Sequence, residues 1–190
     1  MDLKFIEKET NLKVGKNIEY FKVIDSTHKY AKKIATNKDS VGKIIIAENQ
    51  TDGIGTKGRT WYTGEGKNIA MTIILKPNCK INELEGLTIK IAECMKKTIY
   101  DLYKYQLKIK KPNDLMLNDK KICGILTEIN TISEKINYLL ISLGFNVNET
   151  DFSEEIEEIA TSLKKEFGKE FKREDIIVRF IENLEKEIEF

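Results

Sequence analysis

Residues 106–143 read QLKIKKPNDLMLNDKKICGILTEINTISEKINYLLISL, and this stretch decides the fold class. Four runs rich in apolar and β-branched residues follow one another: Gln106 to Lys111, Asp114 to Leu117, Lys121 to Ile129 and Lys135 to Leu143. Each has strand character, and Asn118-Asp119 supplies turn chemistry between the second and third. Consecutive strands joined by links this short form an antiparallel portion of a sheet.

Working toward the N-terminus, Leu84, Leu87, Ile91, Met95, Ile99 and Leu102 recur at three- and four-residue steps, one face of an amphipathic helix. Asn68 to Leu75 and Gly42 to Glu48 read as buried strands, and Ile18 to Ile24 (IEYFKVI) as a further one. Asp25, Ser26 and Thr27 offer N-cap chemistry for a short helix reaching about Ala35. Toward the C-terminus, two helices are predicted at Ser153 to Phe167 and Arg173 to Glu187, with Gly168 as the C-cap between them. Their Lys/Glu content reads as a solvated face. The fold class is α+β: a mixed, partly antiparallel sheet backed by helices, in one domain spanning residues 1–190.

The 32 basic and 31 acidic side chains cancel, so no global field draws the chain to nucleic acid or anionic lipid. Cys79, Cys94 and Cys123 are odd in number and lack C-x-x-C spacing, which argues against a disulfide framework and a structural zinc site. No apolar run approaches the roughly 18 residues a membrane helix needs. Cytoplasmic location, no DNA and no membrane partner are the resulting expectations; a homodimer stays open.

Chemistry concentrates in a few segments. Gln50 to Trp61 reads QTDGIGTKGRTW, in which Gly53, Gly55 and Gly58 form G-x-G-x-x-G and let backbone N–H groups approach an anion. A dinucleotide fingerprint would need a helix to start inside the motif, yet Gly64 and Gly66 follow, and no G-K-[ST] completes a phosphate-binding loop of the nucleotide-triphosphatase type. Lys110 to Asp114 (KKPND), Lys120 to Glu128 (KKICGILTE) and Leu143 to Asn148 (LGFNVN) complete the set. Taken singly, these are snorkelling lysines and turn-forming asparagines. His28, the single histidine, reads as a helix-start residue contacting solvent, and Cys123 as a buried inert thiol.

In order, these segments resemble the biotin protein ligase family, whose pattern runs D-S-T-N, Q-x-x-G-R-G-R-x-G-R-x-W, K-W-P-N-D, G-x-K-x-x-G-I-L-x-E and G-x-N-x-N. The matching stretches are Asp25 to His28, Gln50 to Trp61, Lys110 to Asp114, Asp119 to Glu128 and Gly144 to Asn148. The resemblance implies that biotin is activated with ATP as biotinyl-5'-adenylate and passed to a lysine of a biotin carboxyl carrier protein. Ser26, Thr27, His28, Gln50, Gly53, Ile54, Gly55, Thr56 and Lys121 would form the biotin site. Gly58, Arg59, Trp61, Asn113 and Asn146 would form the nucleotide site, with Lys121 and Asp114 as the catalytic pair. Glu128 matches the motif without a defined role. Mg²⁺ would leave with pyrophosphate, and no side chain is assigned as a metal ligand.

The chain departs from that pattern in places. Ile54 and Thr56 stand where the family carries arginines, Lys111 replaces a tryptophan, His28 an asparagine, and Ser142 a glycine or alanine. Fewer than about 20 residues precede the first strand, too few for a helix-turn-helix. The chain stops at Phe190, where the family usually continues into a small β-barrel-like domain, which is expected to be absent. Two alternatives share the fold or the ligand: a lipoate or octanoate ligase or transferase, whose R-R-x-S-G-G-G signature is missing, and a non-catalytic biotin- or adenylate-binding module.

Overall fold

The computed structural model describes residues 1–10, 14, 17–64 and 66–187. Helix α1 (Leu3–Glu9), which the sequence reading did not assign, comes first, capped by Asp2. It is followed by β1 (Ile18–Ile24), α2 (Thr27–Ile34), β2 (Ile44–Gln50), β3 (Ile69–Leu75) and α3 (Leu87–Tyr103). Then come β4 (Lys108–Lys110), β5 (Asp114–Leu117), β6 (Lys120–Ile132), β7 (Lys135–Phe145), α4 (Leu163–Phe167) and α5 (Arg173–Glu187). The strands form one sheet in the order β1-β2-β3-β7-β6-β5-β4. β1 and β2 run parallel across the α2 crossover, and every other pair is antiparallel. The mixed α+β architecture expected from the sequence is therefore the observed one, and both Asn118 and Asp119 take the positive φ that their two-residue turn requires.

Because side chains alternate along a strand, the sheet has two distinct faces. Ile44, Ile46, Met71, Ile73, Ile141, Leu143 and Phe145 point to one, where α3 and α5 cover them with Ile91, Met95, Ile177, Phe180 and Leu184. Each such side chain contributes about 1.5–3 kcal/mol when fully buried. On the other face α2 is only eight residues long, and its Ala31 and Ala35 cover a small cluster with Ile45, Ile74, Tyr138 and Leu140. The rest of that face is left for something other than core.

The helix expected over Ser153 to Phe167 is a correction. Only Leu163–Phe167 is helical, capped by Ser162 and ended by Gly168 at φ 69°. Upstream, Glu154, Glu155, Glu157 and Glu158 would stack like charges at helical spacing. The main chain there closes only local turns, Glu157 N–H donating to the Ser153 carbonyl (2.9 Å) and Ala160 N–H to the Ile156 carbonyl (2.8 Å), and the next residues pair with β6: Lys121 N–H donates to the Ile159 carbonyl (2.7 Å), and Thr161 N–H donates to the Lys121 carbonyl (2.9 Å).

The C-terminal helix also carries more than a solvated face. The buried Arg173 guanidinium donates to Glu48 Oε2 (2.6 Å) and to the Asn68 carbonyl (2.9 Å), and Tyr20 donates to Glu48 Oε1 (2.7 Å). Burial pushes the Glu48 carboxyl upward, but the hydrogen bonds from Arg173 and Tyr20 outweigh it and hold the group below the usual carboxylate range. A depressed carboxyl stabilises the fold above the ordinary carboxylate range, and that contribution disappears as pH falls through the depressed value. Arg173→Ala takes the guanidinium from the buried carboxylate and leaves it the Tyr20 hydroxyl and the Met1 ammonium (3.7 Å), and we expect a loss of about 3 kcal/mol in urea unfolding at neutral pH, shrinking toward acid as Glu48 protonates. A pH-independent loss would contradict this account.

Candidate functional site

On the face that α2 leaves open, one rung of the sheet carries almost no side chains. Ala47 of β2 pairs with Ala70 of β3, Ala70 with Gly144 of β7, Gly144 with Gly124 of β6, and Gly124 with Asp114 of β5. Four small residues in register make a trough, and the Trp61 ring from the glycine-rich loop lies in it. A Cβ on Gly144 would sit 2.2 Å from Trp61 Cε2, and one on Gly124 would sit 3.0 Å from Cζ3, so only glycine permits this approach. The loop is folded back onto itself to deliver the ring: Trp61 N–H donates to the Gly53 carbonyl (2.9 Å), and Ile54 bridges Thr60. Trp61 Nε1 is buried with no hydrogen-bond partner, a donor in a place where a ligand acceptor would be welcome.

Lys121 reaches the same trough through an irregularity. β5 pairs Leu115 with Cys123 but Met116 with Lys121, so Ile122 is an extra residue in β6. Strict alternation would aim Lys121 into the core with Cys123; the bulge turns it to the face of Gly124. Its ammonium lies 2.6 Å from Asp114 Oδ1 and 5.4 Å from the centre of the Trp61 ring. Cys123 itself is wholly buried, and burial pushes its thiol far above the ordinary range, as an inert core thiol requires.

Two cavities meet at this point. The first encloses about 420 Å³ of open space and the second about 1470 Å³, both counted out to solvent. Gln50, Gly55, Thr56, Trp61 and Lys121 line both. A buried hydrogen-bond chain forms the wall of the first. Thr27 N–H and Oγ1 donate to Gln50 Oε1 (2.9 and 3.1 Å), and Thr72 Oγ1 donates to Thr27 Oγ1 (3.0 Å). Thr72 Oγ1 meets Ser142 Oγ (2.8 Å), which meets His28 Nδ1 (2.8 Å). His28 Nε2 meets Glu128 Oε2 (3.0 Å), whose other oxygen pairs with Lys32 (2.8 Å).

The Biotin/lipoate A/B protein ligase family model matches residues 20–146. The chain belongs to that family. It is 34% identical over 175 residues to the bifunctional ligase/repressor BirA of Bacillus subtilis, covering 91% of this chain and 54% of that protein. It is 31% identical over 134 residues to BirA of Escherichia coli, covering 70% and 41%. The chain thus spans about half the length of the curated relatives it matches. Among solved structures it is similar to the biotin protein ligase of Aquifex aeolicus in complex with biotin and ATP, with a TM-score of 0.78, 26% identity, and coverage of 90% of this chain and 70% of that one.

Most of the site residues suggested by the ligase resemblance line one cavity or both. Ser26, Thr27, His28, Ile54 and Asn113 line the first, beside the five shared residues. Arg59 and Asn146 line the second. Asn113, grouped with the nucleotide on sequence, thus sits on the other side, where its amide donates to the Ile125 carbonyl (3.1 Å). Gly53, Gly58 and Asp114 border neither; Gly53 shapes the loop, and Asp114 reaches the site through Lys121. His28 corrects the reading of a solvent-facing ring: it is 6% exposed, clasped between Ser142 and Glu128.

Several residues escaped the sequence reading. Thr72 sits in an apolar run whose alternation marks it only as facing away from the core. Glu149, Asp151 and Phe152 line the second cavity from just before the segment expected to be helix, and Ser153 and Ile156 from within it. Among the described residues, no helix is long and apolar enough to cross a membrane, and no group of three or more His, Cys, Asp or Glu is arranged to hold a metal ion. Trp61 is the sole tryptophan of the chain, so its seat can be read directly. Gly144→Ala is expected to eject the ring, moving its emission to longer wavelength and raising quencher access with an unchanged far-UV spectrum. Unaltered emission would refute the trough.

Proposed function

We propose that the chain is the catalytic domain of a biotin protein ligase, which makes biotinyl-5'-adenylate from biotin and ATP and passes the biotinyl group to a lysine of a biotin carboxyl carrier protein. The observation that carries this reading is the Lys121 ammonium, turned by a bulge to the junction of two cavities and held by Asp114. One cavity has the polar wall a small head group needs, and the other is large enough for a nucleotide. The complex reported for the Aquifex aeolicus relative holds biotin and ATP, which supports this pair of ligands.

In this reading the biotin head group lies against Ser26, Thr27 and Gln50, enclosed by His28, Ile54, Gly55 and Thr56, and its carboxylate points to Lys121. Asn113 supports the wall at that end. The nucleotide takes the second cavity, near Arg59, Trp61 and Asn146, with Gly53 and Gly58 shaping the loop above. ATP enters as its magnesium complex, the ion being carried by the phosphates as substrate.

The first step needs no side-chain nucleophile. A biotin carboxylate oxygen attacks the α-phosphorus, the bond to the bridging oxygen of pyrophosphate breaks, and pyrophosphate leaves. Negative charge grows on the α-phosphate oxygens, where a fixed cation is worth most. In the second step the acceptor amine attacks the activated carbonyl, AMP leaves with the bonding pair, and the ammonium proton is lost to form the amide. Asp114 is the positioning partner of the ammonium.

Pyrophosphate release should be fast with biotin and absent with lipoate or octanoate; the reverse order would assign the chain to the lipoate branch of the family. Lys121→Ala should slow adenylate formation by at least roughly 10²–10³-fold, the effect of one well-placed charge donor, with the fold intact by circular dichroism. Near-normal turnover in that variant would remove the reading. Ile54 and Thr56 replace two arginines of the family pattern and withhold charge-assisted bonds from the intermediate. We therefore expect biotinyl-adenylate to leak into solution without acceptor, and Thr56→Arg to slow that leak. Complete retention by the unaltered chain would refute this.

A further inference from the structure

The second cavity carries an anion in its wall. Glu149, just past β7, lines that cavity and is only 7% exposed. Burying a carboxylate requires donors, and one of its oxygens takes them all. Oε1 accepts from Lys67 Nζ (2.9 Å) and from the Thr150 and Asp151 N–H groups (3.1 Å each). Among the described residues, Oε2 accepts no hydrogen bond.

A glycine decides where that free oxygen lies. A Cβ on Gly64 would sit 1.9 Å from Glu149 Oε2 and 3.1 Å from its Cδ, so only a residue without a side chain lets the carboxylate press against the loop. Gly64 lines the same cavity. The main chain is pinned on both sides of the pair: the Ser162 hydroxyl donates to the Glu149 carbonyl, and Asn148 N–H donates to the Lys67 carbonyl (2.9 Å). Oε2 is thus a fixed acceptor at the cavity wall.

A nucleotide can offer such an oxygen little. A carboxylate accepts and does not donate, and phosphate oxygens are acceptors of its own charge sign. Lys121 and Arg59, which line the same cavity, are the cations for those. The donors of ATP are the two ribose hydroxyls and the exocyclic amine of the base. The amine stands between the lone pairs of N1 and N7, so an anion approaching either N–H also meets a lone pair. Neutral amides suit that edge, and Asn68 and Asn146 supply them in this cavity. The ribose diol remains for Glu149, two donors side by side, as an acidic side chain holds a ribose in dinucleotide-binding folds.

We propose that Glu149 makes the second cavity select a ribonucleotide, its Oε2 accepting a hydrogen bond from a ribose hydroxyl. Lys67 and Gly64 fix that oxygen in place. The inference rests on the ligase reading above and deepens it, because Glu149, Gly64 and Lys67 all lie outside the five stretches that carry the family resemblance.

The test is pyrophosphate release by the full chain with biotin and Mg²⁺, using ATP, 2'-deoxy-ATP, 3'-deoxy-ATP and purine riboside 5'-triphosphate, which lacks the amine. KM for at least one deoxynucleotide should exceed that for ATP by about tenfold or more, the effect of one hydrogen bond to a charged group. Glu149→Gln should raise the KM for ATP and shrink that ratio to within about threefold, with the KM for biotin unmoved. Gly64→Ala keeps the charge but takes the space of Oε2, and it should shrink the ratio as well. Purine riboside triphosphate should depend on Glu149 as ATP does. KM values for both deoxynucleotides within twofold of that for ATP overturn the proposal, and so does a ratio that survives Glu149→Gln. A Glu149 dependence seen with ATP and lost with purine riboside triphosphate assigns the contact to the base and overturns it too. Should no acid support pyrophosphate release, the ligase reading falls while calorimetric titration of the full chain still decides the selection: ATP binding tighter than both deoxynucleotides keeps it, and equal affinity or no binding removes it.

Discussion

Everything at this site depends on the absence of side chains along one rung of the sheet. Ala47, Ala70, Gly144 and Gly124 lie in register on four neighbouring strands, and the backbone they leave bare is what the Trp61 indole approaches and, in the proposed reading, two substrates as well. Placing them side by side has a cost, since glycine within a strand weakens it and small residues bury little apolar area. The opposite face offsets that cost, because Met71, Leu143, Ile125 and Phe145, immediate neighbours of the bare positions, all point into the main core. One set of strands thus builds the hydrophobic interior and the trough at once, by alternation.

Three further elements turn the trough into a site. Helix α2 stops after eight residues, so it shields only the end beside Ile45 and Leu140 and presents Ser26, Thr27 and His28 from its first turn. The bulge at Ile122 rotates a lysine out of the core pattern and onto the trough. The glycine-rich loop closes the top by pairing with itself, Trp61 N–H to Gly53 and Gly55 N–H to the Arg59 carbonyl. Around the first cavity charge is placed sparingly: Lys121 with Asp114, and Glu128 shared between His28 and Lys32.

How much of this the sequence reveals follows from the range of the interactions involved. β1 and β5 begin and end where alternation and turn residues put them, and α5 matches its predicted bounds, because these are decided within a few residues. The segment before Leu163 does not, since its carbonyl and amide groups are paired by Lys121, some 40 positions away, and no local pattern announces that. His28 fails for the same reason: a helix-start histidine looks solvated until Ser142 and Glu128 arrive from β7 and β6. The motif residues of the two cavities are legible only as members of a family pattern. Thr72, by contrast, carries no motif, and it joins the polar wall because Ser142 is its partner across the β3–β7 ladder.

The segment that pairs with Lys121 also supplies Ser153, Ile156, Ile159 and Ala160 to the wall of the larger cavity. In the proposed reading, recognition of the nucleotide and placement of Lys121 are thereby mechanically yoked. Redesigning that wall to accept another base would tug on the main chain of Lys121, so altered preference and altered rate would be inherited together and could not be tuned as separate traits.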